Sequence, residues 1–240
     1  MWFDTLKGKF VSDFIEKARW QYITKGLFVT FEVTIIALIL GIAIGTIIAI
    51  IRAGHDQNSK NGLHGFGGFL LKVANLLCRV YITVIRGTPT LVQLLLMFFV
   101  FLPNCSKIFV AMLTFGVNSG AYVAEIIRSG IMSVDAGQME AGRSLGLSYS
   151  KTMRKIIMPQ AFKNIMPALV NEWITLFKET SISGYIGLNE LTRGGDIIRG
   201  VTFDALLPLL AVAAIYLVFV MLFTAIMSKL ERRLRESDKR

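Results

Sequence analysis

Two long apolar runs constrain this chain more than any other feature of its sequence. The first, residues 26–51, contains one acid, Glu32, and no base before Arg52, and the second, residues 205–228, contains no charged residue. Each exceeds the ~20 residues that a helix needs to cross about 30 Å of hydrocarbon. Only 18% of all residues are charged, whereas soluble domains contain about 25%. The sequence therefore predicts an all-α membrane protein with several spans.

The placement of charge predicts the orientation of the spans. Residues 128–163 carry six bases against two acids, and the tail from residue 229 carries six bases against three acids. Residues 178–204 carry three bases against four acids. Under the positive-inside rule, the first two regions are cytoplasmic and the third is outside. The net charge of +10 is thereby explained by orientation, and no nucleic-acid partner is expected.

Five spans are predicted, because an outside N-terminus and a cytoplasmic C-terminus require an odd number of crossings. The second span contains Pro89, which lacks an amide proton and disfavours the α conformation at Thr88, so a break is expected there. Residues 91–102 alone would be too short to span, so this crossing must recruit residues before the proline. The predicted bounds are 26–51, 84–102, 106–127, 161–178 and 205–228.

The chain is predicted to have three regions, which are an N-terminal segment (1–25), a transmembrane domain (26–228) and a basic cytoplasmic tail (229–240). Aromatic residues and bases alternate in the N-terminal segment, which suits a helix lying at the membrane interface. The glycines between residues 62 and 68 indicate a flexible connector. Small residues recur every fourth position in the first span and predict close approach of another helix, either in this chain or in a second subunit. These are Ala37, Gly41, Gly45 and Ala49.

The longest cytoplasmic loop predicts a docking element. A loop of this length should contain structure of its own. Asp135 suits the N-cap of a helix that runs to Leu145, and Gly146 can end that helix in a left-handed conformation. A second helix is expected from about Ser148 toward Pro159. Two short helices joined at a glycine form a compact element that a partner protein can bind.

Four motifs, in the same order, resemble those of the polar amino acid permeases of bacterial ABC importers. The cytoplasmic loop resembles the EAA loop of that family through Glu140-Ala141, Gly146, Ile156 and Met158-Pro159. Glycine at position 142 and methionine at position 158 replace the alanine and leucine of the family pattern. The other three motifs are RGTPTLVQ at 86–93, AYVAEIIR at 121–128 and KETS at 178–181.

This resemblance implies a type I ABC-importer permease in the bacterial cytoplasmic membrane. A second permease subunit, either identical or related, would complete the pathway, and an extracytoplasmic solute-binding protein would deliver the amino acid. A separate ATPase dimer would bind ATP and Mg²⁺ and dock on the EAA loop, residues 135–160. The chain has no Walker A motif, so no cofactor and no enzymatic activity are expected in this subunit. The residues implied in ATPase coupling are Glu140, Ala141, Gly142, Gly146 and Pro159.

Polar residues inside the predicted spans are candidates for the substrate site, because ionisable groups are costly in a bilayer. Glu172 lies mid-way along the fourth span and either faces the substrate path or bonds to a neighbouring helix. Its charge favours a basic amino acid. Glu125 precedes Arg128 by three residues, which predicts an ion pair at the inner membrane face. The predicted substrate-binding residues are Glu172, Asn118, Tyr122 and Lys178. For Asn118 and Tyr122 the alternative is hydrogen bonding between helices, and for Lys178 it is pairing or anchoring of a loop.

Two other classes of protein fit the sequence less well. An intramembrane serine protease needs a nucleophile with a base, and no histidine lies in any predicted span. An autonomous channel or secondary transporter works without an ATPase, so this class does not explain the cytoplasmic docking element. His55 and His64 share one loop and lack the partners of a metal site. Cys78 and Cys105 are expected at opposite membrane faces, so neither a disulfide nor a zinc pair is predicted.

Overall fold

The computed structural model describes residues 7–59 and 65–236, and every regular element in these ranges is helical. This confirms the all-α fold. Helical turns at Met97–Phe101, Met153–Ile157 and Thr180–Ile186 adjoin the α-helices. The helices are α1 (Trp20–Ser59), α2 (Gly65–Gly87), α3 (Thr90–Leu96), α4 (Lys107–Met132), α5 (Ala136–Ser144), α6 (Tyr149–Thr152), α7 (Met158–Glu179), α8 (Leu191–Thr202) and α9 (Leu206–Glu236).

The chain forms two compact units and passes from one to the other five times, after residues 38, 89, 115, 173 and 225. The first unit comprises Met1–Leu38, Thr90–Phe115 and Ile174–Ala225. The second comprises Ile39–Pro89, Gly116–Trp173 and Ile226–Arg240. Each of these passages lies within one of the five predicted crossings.

Four helices in the described ranges are long and apolar enough to cross a membrane. Helix α7 contains the fourth predicted span but is not one of these four, because Lys163, Glu172 and Lys178 interrupt its apolar residues. It also contains Pro167 in its interior. The four candidate spans are Trp20–Asp56, Gly65–Gly87, Lys107–Met132 and Leu206–Lys229.

The break predicted at Pro89 is confirmed, but the predicted bounds of the second span are wrong. Helix α2 ends at Gly87 and α3 begins at Thr90, and the Thr88 hydroxyl donates a hydrogen bond to the Val84 carbonyl at 2.8 Å. The apolar helix before the break starts at Gly65 and is long enough to span alone. The predicted connector is therefore helical from Gly65 onward, and its first glycine, at position 62, lies outside the described residues.

In the first unit, an apolar core joins the N-terminal half of α1 to α3, α4, α7 and the turn after α7. A separate aromatic cluster surrounds Phe31, whose ring lies 5.2 Å from that of Phe177 and 5.0 Å from that of Phe219. These ring contacts hold α1, α7 and α9 together at Phe31, Phe177 and Phe219. The buried members of the apolar core are Val33, Ala37, Leu94, Val110, Ala111, Phe115, Leu176, Ile186 and Leu188.

In the second unit, the small-residue stripe of α1 packs against α4 of the same chain. A Cβ atom added at Gly41 would lie 2.8 Å from Ser119 Oγ. One added at Gly45 would lie 2.6 Å from Val123 Cγ1 and 2.8 Å from the backbone nitrogen of Ala124. The structure therefore favours the first of the two alternatives for the stripe, which is packing within one chain.

The N-terminal segment is not the regular helix that its alternating pattern suggests. Lys17 and Ala18 have positive φ angles of 54° and 51°, and they separate two helical turns from α1. Phe14 is buried in a cluster with Ile23, and Lys9 Nζ lies 2.9 Å from Asp204 Oδ2. Residues 7–19 therefore pack against other parts of the first unit through Phe14 and Lys9. Residues 1–6 lie outside the described part of the chain.

Candidate coupling and substrate sites

Helix α5 has the two ends that the sequence predicts. Asp135 Oδ1 accepts a hydrogen bond from the Gly137 amide at 2.7 Å and caps the N-terminus. At the other end, the Leu147 amide donates to the Gly142 carbonyl at 3.1 Å, and the Gly146 amide donates to the Arg143 carbonyl at 3.0 Å. This pair of bonds is a Schellman motif, in which the residue after the cap is left-handed. Gly146 has a φ of +79°, as expected for that position.

The second helix of the EAA segment starts as predicted but does not stop at Pro159. Ser148 Oγ accepts a hydrogen bond from the Lys151 amide at 3.4 Å and begins α6. After α6, a π-helical turn leads directly into α7. Pro159 is the second residue of α7 and directly follows the π-helical turn, so the hydrogen-bond pattern of the helix changes next to the residue that lacks an amide proton.

Gly142 is the contact point between α5 and the helix that follows it. A Cβ atom there would lie 2.5 Å from Thr152 Cγ2 and 3.2 Å from Ile156 Cδ1. The glycine that replaces the alanine of the EAA pattern is therefore required by close packing. Glu140 and Ala141 are exposed on α5, and Leu145 is 81% exposed. This exposed surface is available to a partner protein.

A charged cluster joins the C-terminal part of α1 to α4. Glu125 Oε1 accepts a hydrogen bond from Arg128 Nε at 2.8 Å, which confirms the predicted ion pair. Glu125 Oε2 also accepts from Arg52 Nη1 at 3.2 Å. The Arg52 contact was not predicted, although its position at the end of the first apolar run was a usable signal. Two guanidinium groups share one carboxylate, which leaves the cluster with a net positive charge.

Three of the four predicted substrate residues, Asn118, Tyr122 and Glu172, belong to the second unit, and Glu172 bonds to the helix that carries the other two. Ser119 Oγ donates a hydrogen bond to Glu172 Oε1 at 2.7 Å, so Glu172 does bond to another helix. Asn118 is buried beside Ser119. The guanidinium carbon of Arg86 lies 5.2 Å from the centre of the Tyr122 ring, within the range of a cation–π contact. The fourth residue, Lys178, is exposed and belongs to the first unit.

Between residues 171 and 178, one side of α7 exposes polar side chains, whereas most exposed side chains of the apolar spans are hydrophobic. Asn171, Thr175 and Lys178 are all exposed and are spaced four and three residues apart, which places them on one side of the helix. The sequence analysis missed Asn171 and Thr175, although their spacing from Lys178 is visible in the sequence. The exposed side chains of α1, α2 and α9 include Ile35, Ile39, Leu76, Leu77, Val80, Leu217, Val218 and Met221.

Histidine, cysteine and acidic side chains do not form a metal site in the described ranges, since no group of three or more is placed to hold an ion there. His55 Nδ1 lies 3.4 Å from Asp56 Oδ1 at the end of α1. Cys78 and Cys105 are free thiols. His64 lies outside the described residues.

Sequence comparison gives a direct relation to known transport proteins. Residues 67–236 match the family model described as binding-protein-dependent transport system inner membrane component. The arginine transport system permease protein ArtQ of Bacillus subtilis is 35% identical over 222 residues, which cover 90% of this chain and 94% of that protein. The glutamine transport system permease protein GlnP of Escherichia coli K12 is 38% identical over 210 residues, covering 85% and 90% respectively.

Structure comparison agrees with the sequence relation. The crystal structure of an amino acid ABC transporter with histidines contains a chain with a TM-score of 0.80 and 40% identity, covering 92% of this chain and 98% of that one. The MetNI methionine ABC transporter, in inward-facing conformations, gives a TM-score of 0.70 at 16% identity and covers 89% and 96%. The second likeness concerns the fold alone.

Proposed function

The chain belongs to the family of binding-protein-dependent transport system inner membrane components, and we propose that it moves polar amino acids, preferably basic ones, along a path lined by α7. It is a multi-pass protein of the cytoplasmic membrane and a permease subunit of an amino acid ABC importer. In these systems, ATP hydrolysis belongs to a separate subunit, so this chain is not an enzyme. The orientation, the substrate and the composition of the complex are the parts that we propose.

The polar face of α7 is the observation that carries this proposal. Polar side chains exposed along a membrane span are unfavourable against lipid and are expected to face a water-filled cavity or another protein surface. Most exposed side chains of α1, α2 and α9 are apolar and suited to lipid, with charged exceptions such as Glu32, Lys72 and Arg79, whereas Asn171, Thr175 and Lys178 form a polar row along one side of α7. We therefore assign α7 to the solute pathway.

The proposed substrate site combines Glu172 with polar groups of α4. The Glu172 carboxyl group accepts a hydrogen bond from Ser119, and the side chain remains partly exposed. A partly buried carboxylate is compensated further by a substrate ammonium or guanidinium group. Asn118 and Tyr122 lie on the same helix as Ser119, and Lys178 continues the polar face of α7.

A complete importer is proposed to contain two permease subunits, two ATPase subunits and one solute-binding protein at a time. A single set of helices with one polar face cannot enclose a path, so a second permease subunit, identical or related, should face α7. The exposed surface of α5 around Glu140 and Ala141 is proposed to dock on the ATPase. Full transport activity in a purified complex with one permease subunit would contradict this arrangement.

The proposed orientation has the N-terminus outside and the C-terminus in the cytoplasm. It follows from the basic residues of 128–163 and of the tail under the positive-inside rule. Cysteines introduced at Asn189 and at Ser237, which lies outside the described residues, should react with an impermeant thiol reagent from opposite sides. Labelling of both from one side would overturn the orientation.

The substrate assignment is tested with Glu172→Gln in proteoliposomes that contain the ATPase and the binding protein. Uptake of arginine and of glutamine is measured over a range of concentrations. We expect the apparent KM for arginine to rise about tenfold, because loss of one charge-assisted contact costs roughly 1.5 kcal/mol. The effect on glutamine should be smaller, since its side chain carries no charge.

A matched control removes another acid from a span without touching the proposed site. Glu32→Gln neutralises an exposed carboxylate of α1 and should leave both uptake curves unchanged. The ATPase must co-purify with each variant in normal amount. If Glu172→Gln leaves arginine uptake unchanged at every concentration, Glu172 has only a structural role and the substrate preference loses its basis.

A further inference from the structure

Helix α8 is packed unusually closely between two other helices of the first unit. The sequence places it in an outside loop, and it lies outside the candidate spans. A Cβ atom at Gly194 would lie 2.5 Å from the Tyr22 carbonyl oxygen of α1. One at Gly195 would lie 2.5 Å from Val212 Cγ2 of α9. These distances leave room for hydrogen only, so α8 touches the α1 backbone directly.

One carboxyl group holds the start of α8. Glu190 is 1% exposed, and its side chain accepts hydrogen bonds from the Thr192 and Arg193 amides, both at 2.7 Å. The Tyr216 hydroxyl of α9 also donates to Glu190 Oε2, at 3.4 Å. The same side chain therefore caps α8 and connects this helix to α9.

The backbone at Glu190 connects α8 to α1. The Leu191 amide donates to Thr30 Oγ1 at 3.2 Å. A Cβ atom at Gly26 would lie 2.6 Å from the Glu190 carbonyl oxygen. Glu190 consequently stands at the junction of α1, α8 and α9, and it cannot move into water while α8 stays in place.

The Glu190 carboxyl group has no counter-ion among the residues that the structure describes. The nearest cation in sequence, Arg193, directs Nη1 to Asp196 Oδ2 at 2.6 Å, and Arg199 Nε bonds to Asp196 Oδ1 at 2.9 Å. The other elements at the junction present hydroxyl groups, of which Tyr216 is the titratable one. The remaining hydroxyl groups at the junction are those of Thr30, Thr180 and Thr192.

Burial of this unpaired carboxyl group raises the pKa of Glu190 from 4.5 to about 7, because the charged form loses hydration. A Glu190 side chain released into water would regain the ordinary value. The docked form of α8 therefore binds a proton more tightly than the undocked form, and linkage requires protonation to favour docking. A cavity of about 310 Å³ borders Glu190, Tyr185 and Leu209 and gives solvent a route to the carboxyl group.

We propose that Glu190 is the positioning residue of α8, and that this helix docks most firmly when the Glu190 carboxyl group is protonated and loosens when it ionises. In the protonated form, Oε1 still accepts from the Arg193 amide, and a hydroxyl at Oε2 can donate to the Tyr216 oxygen. This inference goes beyond the transport function and does not depend on which solute is carried.

The test is hydrogen exchange of the α8 amides in the full-length protein, reconstituted in nanodiscs so that buffer reaches both faces. Exchange of a peptide covering α8 is measured at pH 5 and pH 8 in the wild type and in Glu190→Gln. The exchange rate of the wild type is divided by that of Glu190→Gln at each pH, which removes the intrinsic pH dependence of exchange. We expect this ratio to change by about 70-fold between the two pH values, with the wild type less protected at pH 8.

Glu32→Gln is the matched control, because Glu32 is an exposed acid of α1, the helix against which α8 packs. It should keep the wild-type pH dependence. If the ratio of wild type to Glu190→Gln is the same at both pH values, the proposal is wrong. If Glu190→Gln does not fold, Glu190→Asp replaces it and, after correction for intrinsic exchange, must lose α8 protection between pH 5 and pH 8 as Glu32→Gln does. Unchanged α8 protection between the two pH values in both variants would equally overturn the proposal.

Discussion

Replacement of Gly146 by valine is expected to separate ATP hydrolysis from transport. Gly146 has a φ of +79° at the end of α5, and no atom lies within 4 Å of where its Cβ would stand. The substitution therefore meets no steric obstacle within the chain, and its cost comes from backbone conformation alone. A residue with a Cβ atom in the left-handed region loses roughly 1–2 kcal/mol. The population that retains the native end of α5 should fall about 5- to 30-fold relative to alternatives.

The assay measures two activities of the reconstituted complex of permease, ATPase and binding protein. One is ATPase activity with and without loaded binding protein, and the other is amino acid uptake. The Schellman bonds from Gly146 and Leu147 to the last turn of α5 orient the exposed surface around Glu140. We expect Gly146→Val to lose most of the stimulation of ATPase activity and most of the uptake, while the protein still inserts in the membrane.

Two control variants distinguish backbone conformation from side-chain bulk. Gly146→Asn should remain close to the wild type, because asparagine tolerates the left-handed region. Gly54→Val places the same bulk at a helical glycine of α1 with no atom within 4 Å of its added Cβ and should keep normal stimulation. If Gly146→Val retains wild-type stimulation and wild-type uptake, the EAA segment is not the coupling element.

Three further predictions concern packing and charge outside the coupling element. Gly45→Ala should destabilise the protein by about 1–3 kcal/mol, because its Cβ would press on Val123 and on the α4 backbone; thermal unfolding in detergent measures this. Arg52→Gln should cost about 1 kcal/mol, because the partly exposed Glu125 cluster keeps its second arginine; the same unfolding assay applies. Asp204→Asn should remove the part of the folding stability that depends on the ionised Asp204 carboxylate, since Lys9 lowers the pKa of Asp204. Thermal midpoints measured as a function of pH test this.

The sign of the Asp204 effect follows from linkage. A carboxyl group with a lowered pKa in the folded state contributes stability above its unfolded value of 3.8, and this contribution is lost as the pH falls through the lower folded value. The wild type and Asp204→Asn should therefore differ at pH 6 and converge near pH 3. Equal midpoints at pH 6 would refute this. A Gly45→Ala protein that unfolds at the wild-type temperature would contradict the first of the other two predictions. An Arg52→Gln protein destabilised by much more than about 1 kcal/mol would contradict the second.

The sequence was sufficient for features that rest on local chemistry. The Asp135 cap, the left-handed Gly146 and the break at Pro89 each follow from the stereochemistry of one residue and its neighbours, and each is confirmed. The Glu125–Arg128 pair follows from helical spacing and is also confirmed. Such signals survive folding because tertiary contacts seldom reverse them.

Features that depend on distant residues were missed or misplaced. The bounds of the second span were set by the proline, although the apolar helix before the break begins at Gly65. Arg52 bonds to Glu125, which is 73 residues away in the sequence, so helical spacing could not predict this pair. The sequence analysis placed the region of α8 outside from its charge and predicted no helix there. Two adjacent glycines lower its helical propensity, and packing against α1 and α9 explains their presence.

Helix α7 shows why transport function and membrane prediction conflict. A span is recognised by hydropathy because lipid penalises polar groups, yet a solute pathway needs polar groups at the same depth. Lys163, Glu172 and Lys178 lower the hydropathy of α7 until it no longer resembles a span, and the exposed Asn171 and Thr175 lie on its polar face. The polar residues that exclude α7 from the candidate spans are therefore the same type of residue that a pathway for a polar amino acid requires.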